Sequence, residues 1–355
     1  MKKIILIIPY FGKIPYYFNL WKMSALANDT VDFLFVTDIE EIKEEKNIKV
    51  QRCSFEDFKE RVQSKFSFTI KLNRAYKCCD YRPAYGYIFA EEIAEYDFWG
   101  HCDIDLLFGN IRRFLTNDIL EKYDKILEHG HFCLYRNTPD ICKLFLQDGE
   151  YPEINYKECF QTDDSYAFDE FPGMLIKSRR LKVKLYDNTN LFWDNKTDEK
   201  AFYHAFAPDK TVRTIVEYSD GVLQLCQIEE EDYLKKKYEN VSTREIMYFH
   251  FQKRDIQGIE ENLLEQKHFY IIPNKLVDIE TEAEEIFGVT RERMYQIKYK
   301  YHAAIKKLKD HKARFLLQKK NGEVTGLKQY FYARKALQKR FMKCREVNAY
   351  YKRSL

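Results

Sequence analysis

The run Tyr96-Asp97-Phe98-Trp99-Gly100-His101-Cys102-Asp103-Ile104-Asp105-Leu106-Leu107-Phe108 decides how this chain is read. Asp97 to Cys102 reads as an apolar strand, and Asp103 and Asp105 follow at its C-terminal end. In a strand, side chains at i and i+2 share a face. Two carboxylates on one face beside an apolar run are costly unless a cation or a donor-rich ligand satisfies them. A divalent metal carrying a diphosphate does so, because Mg2+ takes one or two carboxylates together with phosphate oxygens. Alone, the pair also suits solvated capping carboxylates.

Upstream, the pattern is that of an α/β sheet. Lys2 to Ile8 reads as a buried strand, Pro15 to Ala27 as a helix and Val31 to Val36 as a second strand. Ile48 to Cys53 is predicted as a third strand, and Phe55 to Phe66 and Pro83 to Ala94 as helices. Ligands of open α/β sheets gather at the carboxyl ends of strands, where the acidic pair sits. Downstream, Ile111 to Leu127 is predicted as a helix, His131 to Tyr135 as a strand and Thr138 to Leu146 as a helix. Residues 150–195 read as irregular. Late strands are expected at Val212 to Tyr218, Val222 to Gln227 and Ile246 to Phe251, the first two joined by a hairpin turn at Ser219-Asp220-Gly221.

Three further constellations carry chemistry. Lys77, Asp80 and Arg82 precede the expected helix at Pro83, where backbone N–H groups favour anions. Lys77 or Arg82 would contact a phosphate and Asp80 a ribose or base; alone, Asp80 also fits a helix cap. In the late strand, His250 would be a third metal ligand if the sheet brings it near Asp105, and otherwise a core histidine. Lys253 and Arg254 would then hold a diphosphate. His101 and His204 are weaker metal alternatives. The acidic segment Thr162 to Gly173 offers a base for an acceptor hydroxyl. Asp169 or Glu170 is favoured, because Phe168 and Phe171 would desolvate it and raise its pKa.

The chain carries 59 Lys and Arg against 56 Asp and Glu, unevenly placed. From Lys275 onward there are 21 basic and 9 acidic residues, so this part faces something anionic or presents a solvated basic face. Two parts follow: a sheet domain over 1–274 and a basic helical region over 275–355. The interleaved Lys, Arg, Phe and Tyr after Ala304 suit an anionic membrane surface. No nucleic-acid recognition motif accompanies them, so no nucleic acid is expected. No apolar run is long enough to span a bilayer, and Ile4 to Ile8 is too short for a signal peptide. A cytoplasmic protein, peripheral at the inner membrane face at most, is expected. The nine cysteines show no CxxC pair and read as reduced, mostly buried thiols.

Together these residues resemble the GT-A class of glycosyltransferases, and more closely a bacterial glycosyltransferase-like family of polysaccharide and capsule gene clusters. The matching pieces are Ile7 to Gly12, Phe35 to Asp38, Lys77 to Gly86, Asp97 to Gly109 and Tyr248 to Phe251. The resemblance implies a GT-A-like mixed sheet flanked by helices. It implies a nucleotide-diphosphate sugar donor, Mn2+ or Mg2+ on Asp103 and Asp105, and Pro9, Tyr10 and Asp38 on the nucleotide. It further implies that His250 approaches the metal, but leaves the acceptor open; a glycan or lipid-linked glycan is expected, since a lipid-borne acceptor would explain the basic C-terminal part. Trp193 or Tyr166 is expected to stack on a sugar. Two other classes fit part of the pattern: a catalytically inactive GT-A-like binding module, and a nucleotidyltransferase, for which a Gly-rich phosphate loop is missing.

Overall fold

The first apolar run becomes an inner strand because nearly every residue of it is buried on both faces. This is strand β1 (Ile4–Pro9). The computed structural model describes residues 1–149, 153–170, 173–195, 201–209, 211–252, 254, 256–273 and 275–288. The chain continues through helix α1 (Phe18–Leu26), β2 (Val31–Thr37), β3 (Ile48–Arg52) and helix α2 (Phe55–Ser64). A capping box starts α2: the Asp57 N–H donates to Ser54 Oγ, and the Ser54 N–H donates to the Asp57 carboxylate. Strands β4 (Phe98–Cys102), β5 (Leu106–Phe108), β6 (Lys125–His129), β7 (Phe132–Arg136), β8 (Leu185–Tyr186) and β9 (Phe192–Asp194) follow. The last are β10 (Val212–Ser219), β11 (Val222–Glu229), β12 (Ser242–Glu245), β13 (Tyr248–His250), β14 (His268–Ile272) and β15 (Lys275–Asp278).

Seven strands form the main sheet in the order β3-β2-β1-β4-β7-β6-β8. The half β3-β2-β1-β4 is parallel, and β7 enters antiparallel to both β4 and β6. The fold is thus α/β with a mixed parallel and antiparallel sheet flanked by helices. Apolar clusters cover both faces. One contains Trp21, Phe33, Phe35 and Phe108; the other contains Phe58, Tyr81, Tyr85 and Trp99. A second, antiparallel sheet has the order β12-β11-β10-β14-β15. Between the two lies a three-stranded sheet, β5-β13-β9.

The hairpin expected at Ser219-Asp220-Gly221 is present. Asp220 and Gly221 both have positive φ, as a two-residue turn of this hand demands, and Ser219 pairs with Val222.

Three expectations are corrected. Ile111 to Leu127 is not one helix: two short helices, Ile111–Phe114 and Asn117–Lys122, are followed by β6. Thr116 starts the second by accepting from the Ile119 N–H, and the buried run from Lys125 pairs with β7. The helix expected over Pro83 to Ala94 is reduced to a 3-10 turn, Arg82–Ala84, and a single helical turn, Tyr85–Ile88. The expected boundary after residue 274 falls inside the β14–β15 hairpin, so the second sheet continues to Asp278. The basic segment beyond residue 288 lies outside the described residues.

Among the described residues no helix is long and apolar enough to cross a membrane. All eight described cysteines are free thiols.

Candidate metal centre

Asp103 and Asp105 do not sit in a strand. They lie in the bend where the chain leaves the main sheet and enters the three-stranded one. The Asp103 N–H still bonds the His131 carbonyl at 2.9 Å, as the last rung of β4 with the chain before β7. The Asp105 carbonyl already accepts the Phe251 N–H at 3.0 Å, next to the β5–β13 ladder. The change of sheet thus fixes both acids, with Ile104 buried between them.

The β5–β13 pairing delivers His250 to this bend, since His250 is the register partner of Leu106. His250 Nε2 lies 3.3 Å from Asp105 and 4.0 Å from Asp103. One ligand atom from each of Asp103, Asp105 and His250 lies within 4.8 Å of the other two. Two carboxylates and one imidazole at this spacing fit Mn2+ or Mg2+.

A residue that the sequence reading missed orients the histidine. Asp194, at the end of β9, is the register partner of His250, and its Oδ1 lies 2.8 Å from His250 Nδ1. Nδ1–H donates to that carboxylate, which leaves Nε2 facing the acid pair, the arrangement that metal-binding histidines use. Gln252 adds an amide donor to the same oxygen at 2.8 Å, from a backbone turned to φ 56°. Although burial opposes it, Asp105 and Asp194 raise the pKa of His250 to about 10. Without a cation at the site, the imidazolium itself balances the acids.

Arg82 ties the acid pair to the acidic segment. One of its terminal nitrogens bonds Asp103, and the other bonds Asp169 at 3.0 Å and the Gly130 carbonyl at 2.6 Å. Burial pushes the Asp169 carboxyl up to about 7, opposed by Arg82 and reinforced by Glu170 and Asp80. Glu170 is exposed beside it. Phe171 lies outside the described residues.

Lys77 and Asp80 have internal partners. Lys77 Nζ lies 2.9 Å from Asp80, 2.9 Å from the Cys159 carbonyl and 2.5 Å from the Asp164 carbonyl. Asp80 accepts the backbone N–H groups of Tyr166 and Phe168. Both residues are fully buried, and together they brace the segment that carries Asp169.

Pro9 ends β1, and the phenol of Tyr10 is raised in pKa by burial and by Asp105. Tyr17, which no sequence signal singled out, is raised for the same two reasons. Asp38 is exposed after β2, in an open recess of about 1120 Å³ shared with Lys13 and Glu40. Because β1, β2 and β4 are parallel, Tyr10, Asp38 and Asp103 all follow strand ends on one edge of the sheet.

Other expected residues lie elsewhere. Lys253 is outside the described residues. Arg254 is buried against the Phe202 ring, and burial lowers its pKa to about 10. Trp193 and Tyr166 are core residues and offer no stacking surface: the Trp193 indole donates to Asn195, and Lys77 lies over the Tyr166 ring. His101 is buried and neutral inside β4, and His204 meets the Phe192 carbonyl.

The sequence profile of the family described as "Family of unknown function (DUF6625)" matches residues 6–280. The chain belongs to DUF6625. The match covers all three sheets and the acid pair, so this geometry lies within the part of the chain that is DUF6625. No curated protein and no solved structure matches the chain.

Proposed function

We propose that this protein is a metal-dependent glycosyltransferase with a GT-A-like sheet. It would move a sugar from a nucleotide-diphosphate donor to a glycan or lipid-linked glycan acceptor of a surface polysaccharide. The observation that carries this reading is the convergence of Asp103, Asp105 and His250 at the carboxyl edge of the parallel strands. In the order β3-β2-β1-β4, connections diverge on either side of β1, and ligands settle in the crevice at that point.

Asp103, Asp105 and His250 would hold Mn2+ or Mg2+. Such a cation neutralises the charge that a departing diphosphate develops. The recess beside Asp38 would receive the nucleotide, with Pro9 and Tyr10 contributing from the end of β1. Arg82 orients Asp103 and keeps Asp169 beside it. The Asp169 carboxylate accepts the proton of the acceptor hydroxyl as that oxygen bonds the sugar's anomeric carbon. The bond from that carbon to the diphosphate breaks, and its electron pair leaves with the nucleoside diphosphate. The basic C-terminal segment would keep the protein at an anionic inner-leaflet surface, where a lipid-linked acceptor resides.

The test is donor hydrolysis across a panel of nucleotide sugars with Mn2+. Turnover of at least one donor is expected, and Asp103→Asn or Asp105→Asn should abolish it while thermal unfolding stays cooperative. Equal turnover in either variant rejects the reading.

A further inference from the structure

We propose a second metal seat behind the acid pair, formed by His131, Asp194 and His250 and suited to a borderline cation such as Zn2+ or Co2+. One ligand atom from each of these residues lies within 4.8 Å of the other two, and all three residues are buried. The inference does not depend on sugar transfer.

The donor sets of the two seats differ in kind. Asp103, Asp105 and His250 offer two carboxylates and one imidazole, a set for hard cations. His131, Asp194 and His250 offer two imidazoles and one carboxylate, the composition that selects zinc and its neighbours.

The independent observation is His131 itself. Its Nδ1 is 3.0 Å from the Tyr248 hydroxyl, while its Nε2 is buried without a hydrogen-bond partner among the described residues. A buried polar atom left this way needs an explanation, and an ion is one. The Tyr248 contact also supplies what a ligating histidine requires: a partner on the other ring nitrogen that fixes its orientation. The His131 and His250 rings are 4.6 Å apart. Tyr248 in turn stacks flat on the buried Phe192 ring.

His250 belongs to both seats, so they compete. A cation on Nδ1 beside Asp194 leaves the ring proton on Nε2, which then no longer accepts a cation at the acid pair. The inner seat is buried, whereas Asp103 of the outer one is partly exposed.

The experiment uses the full chain stripped of metal and titrated with Zn2+ alone, then with Mn2+ alone, by calorimetry. His131→Gln should weaken Zn2+ at least tenfold and leave Mn2+ within about threefold. Asp103→Asn combined with Asp105→Asn should do the reverse. X-ray absorption of the wild-type protein at substoichiometric Zn2+ should count two imidazoles, which keeps the proposal testable if His131→Gln does not fold. One imidazole or none, or unchanged Zn2+ affinity in a folded His131→Gln, overturns it. A wild-type protein that binds no Mn2+ yet holds Zn2+ on two imidazoles would sink the transferase reading and leave this one standing.

Discussion

His250 and Asp194 are register partners on adjacent parallel strands, with the imidazole Nδ1 2.8 Å from the carboxylate Oδ1. The contact fixes which ring nitrogen faces Asp103 and Asp105. Partners of this kind typically contribute about 10–100-fold to metal affinity. Asp194→Asn should therefore weaken Mn2+ about 10–100-fold by calorimetry without touching an acid-pair ligand. An affinity equal to wild type would show that His250 does not act through Asp194.

Lys77 and Asp80 are a buried pair rather than a ligand-facing one. Lys77→Met leaves Asp80 charged in the core, which typically costs about 3–5 kcal/mol. The two backbone N–H groups that donate to Asp80, from Tyr166 and Phe168, should hold the loss to the lower part of that range. Urea unfolding checks it. A stable variant with weakened donor binding would instead return Lys77 to the phosphate.

Asp169 sets the expected pH dependence. Its folded pKa, about 7, lies above the ordinary value of 3.8. The native state therefore holds this proton more tightly than the unfolded chain does. The contribution to stability is fully present below pH 3.8 and is lost as pH rises through about 7. As a base, the carboxylate form appears over the same upper range, so kcat/KM for transfer should climb through about pH 7. A profile flat from acid to alkaline pH would remove Asp169 from the proton transfer.

Gly100 lies in β4, three residues before Asp103. A Cβ there would stand 2.1 Å from the Cys133 carbonyl oxygen and 2.7 Å from a Leu134 methyl. The backbone atom cannot yield without moving β7. Gly100→Ala should cost at least the ~1–3 kcal/mol of ordinary overpacking and lower the thermal midpoint. An unchanged midpoint would mean that the β4–β7 spacing is looser than described.

The alternation of apolar strands and helices up to residue 102 was legible because buried parallel strands read as unbroken apolar runs. The acid pair was legible for the same reason: two charges stand out at the end of such a run. Its geometry was not, since a period-two rule assumes a continuing strand and the chain changes sheets at Asp103. Asp194 was hidden in a stretch read as irregular. Only the β9–β13 register, a pairing 56 residues apart, makes it a partner of His250. Lys77 and Asp80 carried charge before a turn, which looks the same in sequence whether the partner is a phosphate or a buried backbone. Their burial separates the two readings.

The most direct test is a crystal grown with Mn2+ and a nucleoside diphosphate, with anomalous data collected at the manganese edge. One strong peak is expected among Asp103, Asp105 and His250, with diphosphate oxygens completing its coordination. A nucleotide bound with no manganese at those three residues, or manganese seated elsewhere on the chain, would contradict that expectation.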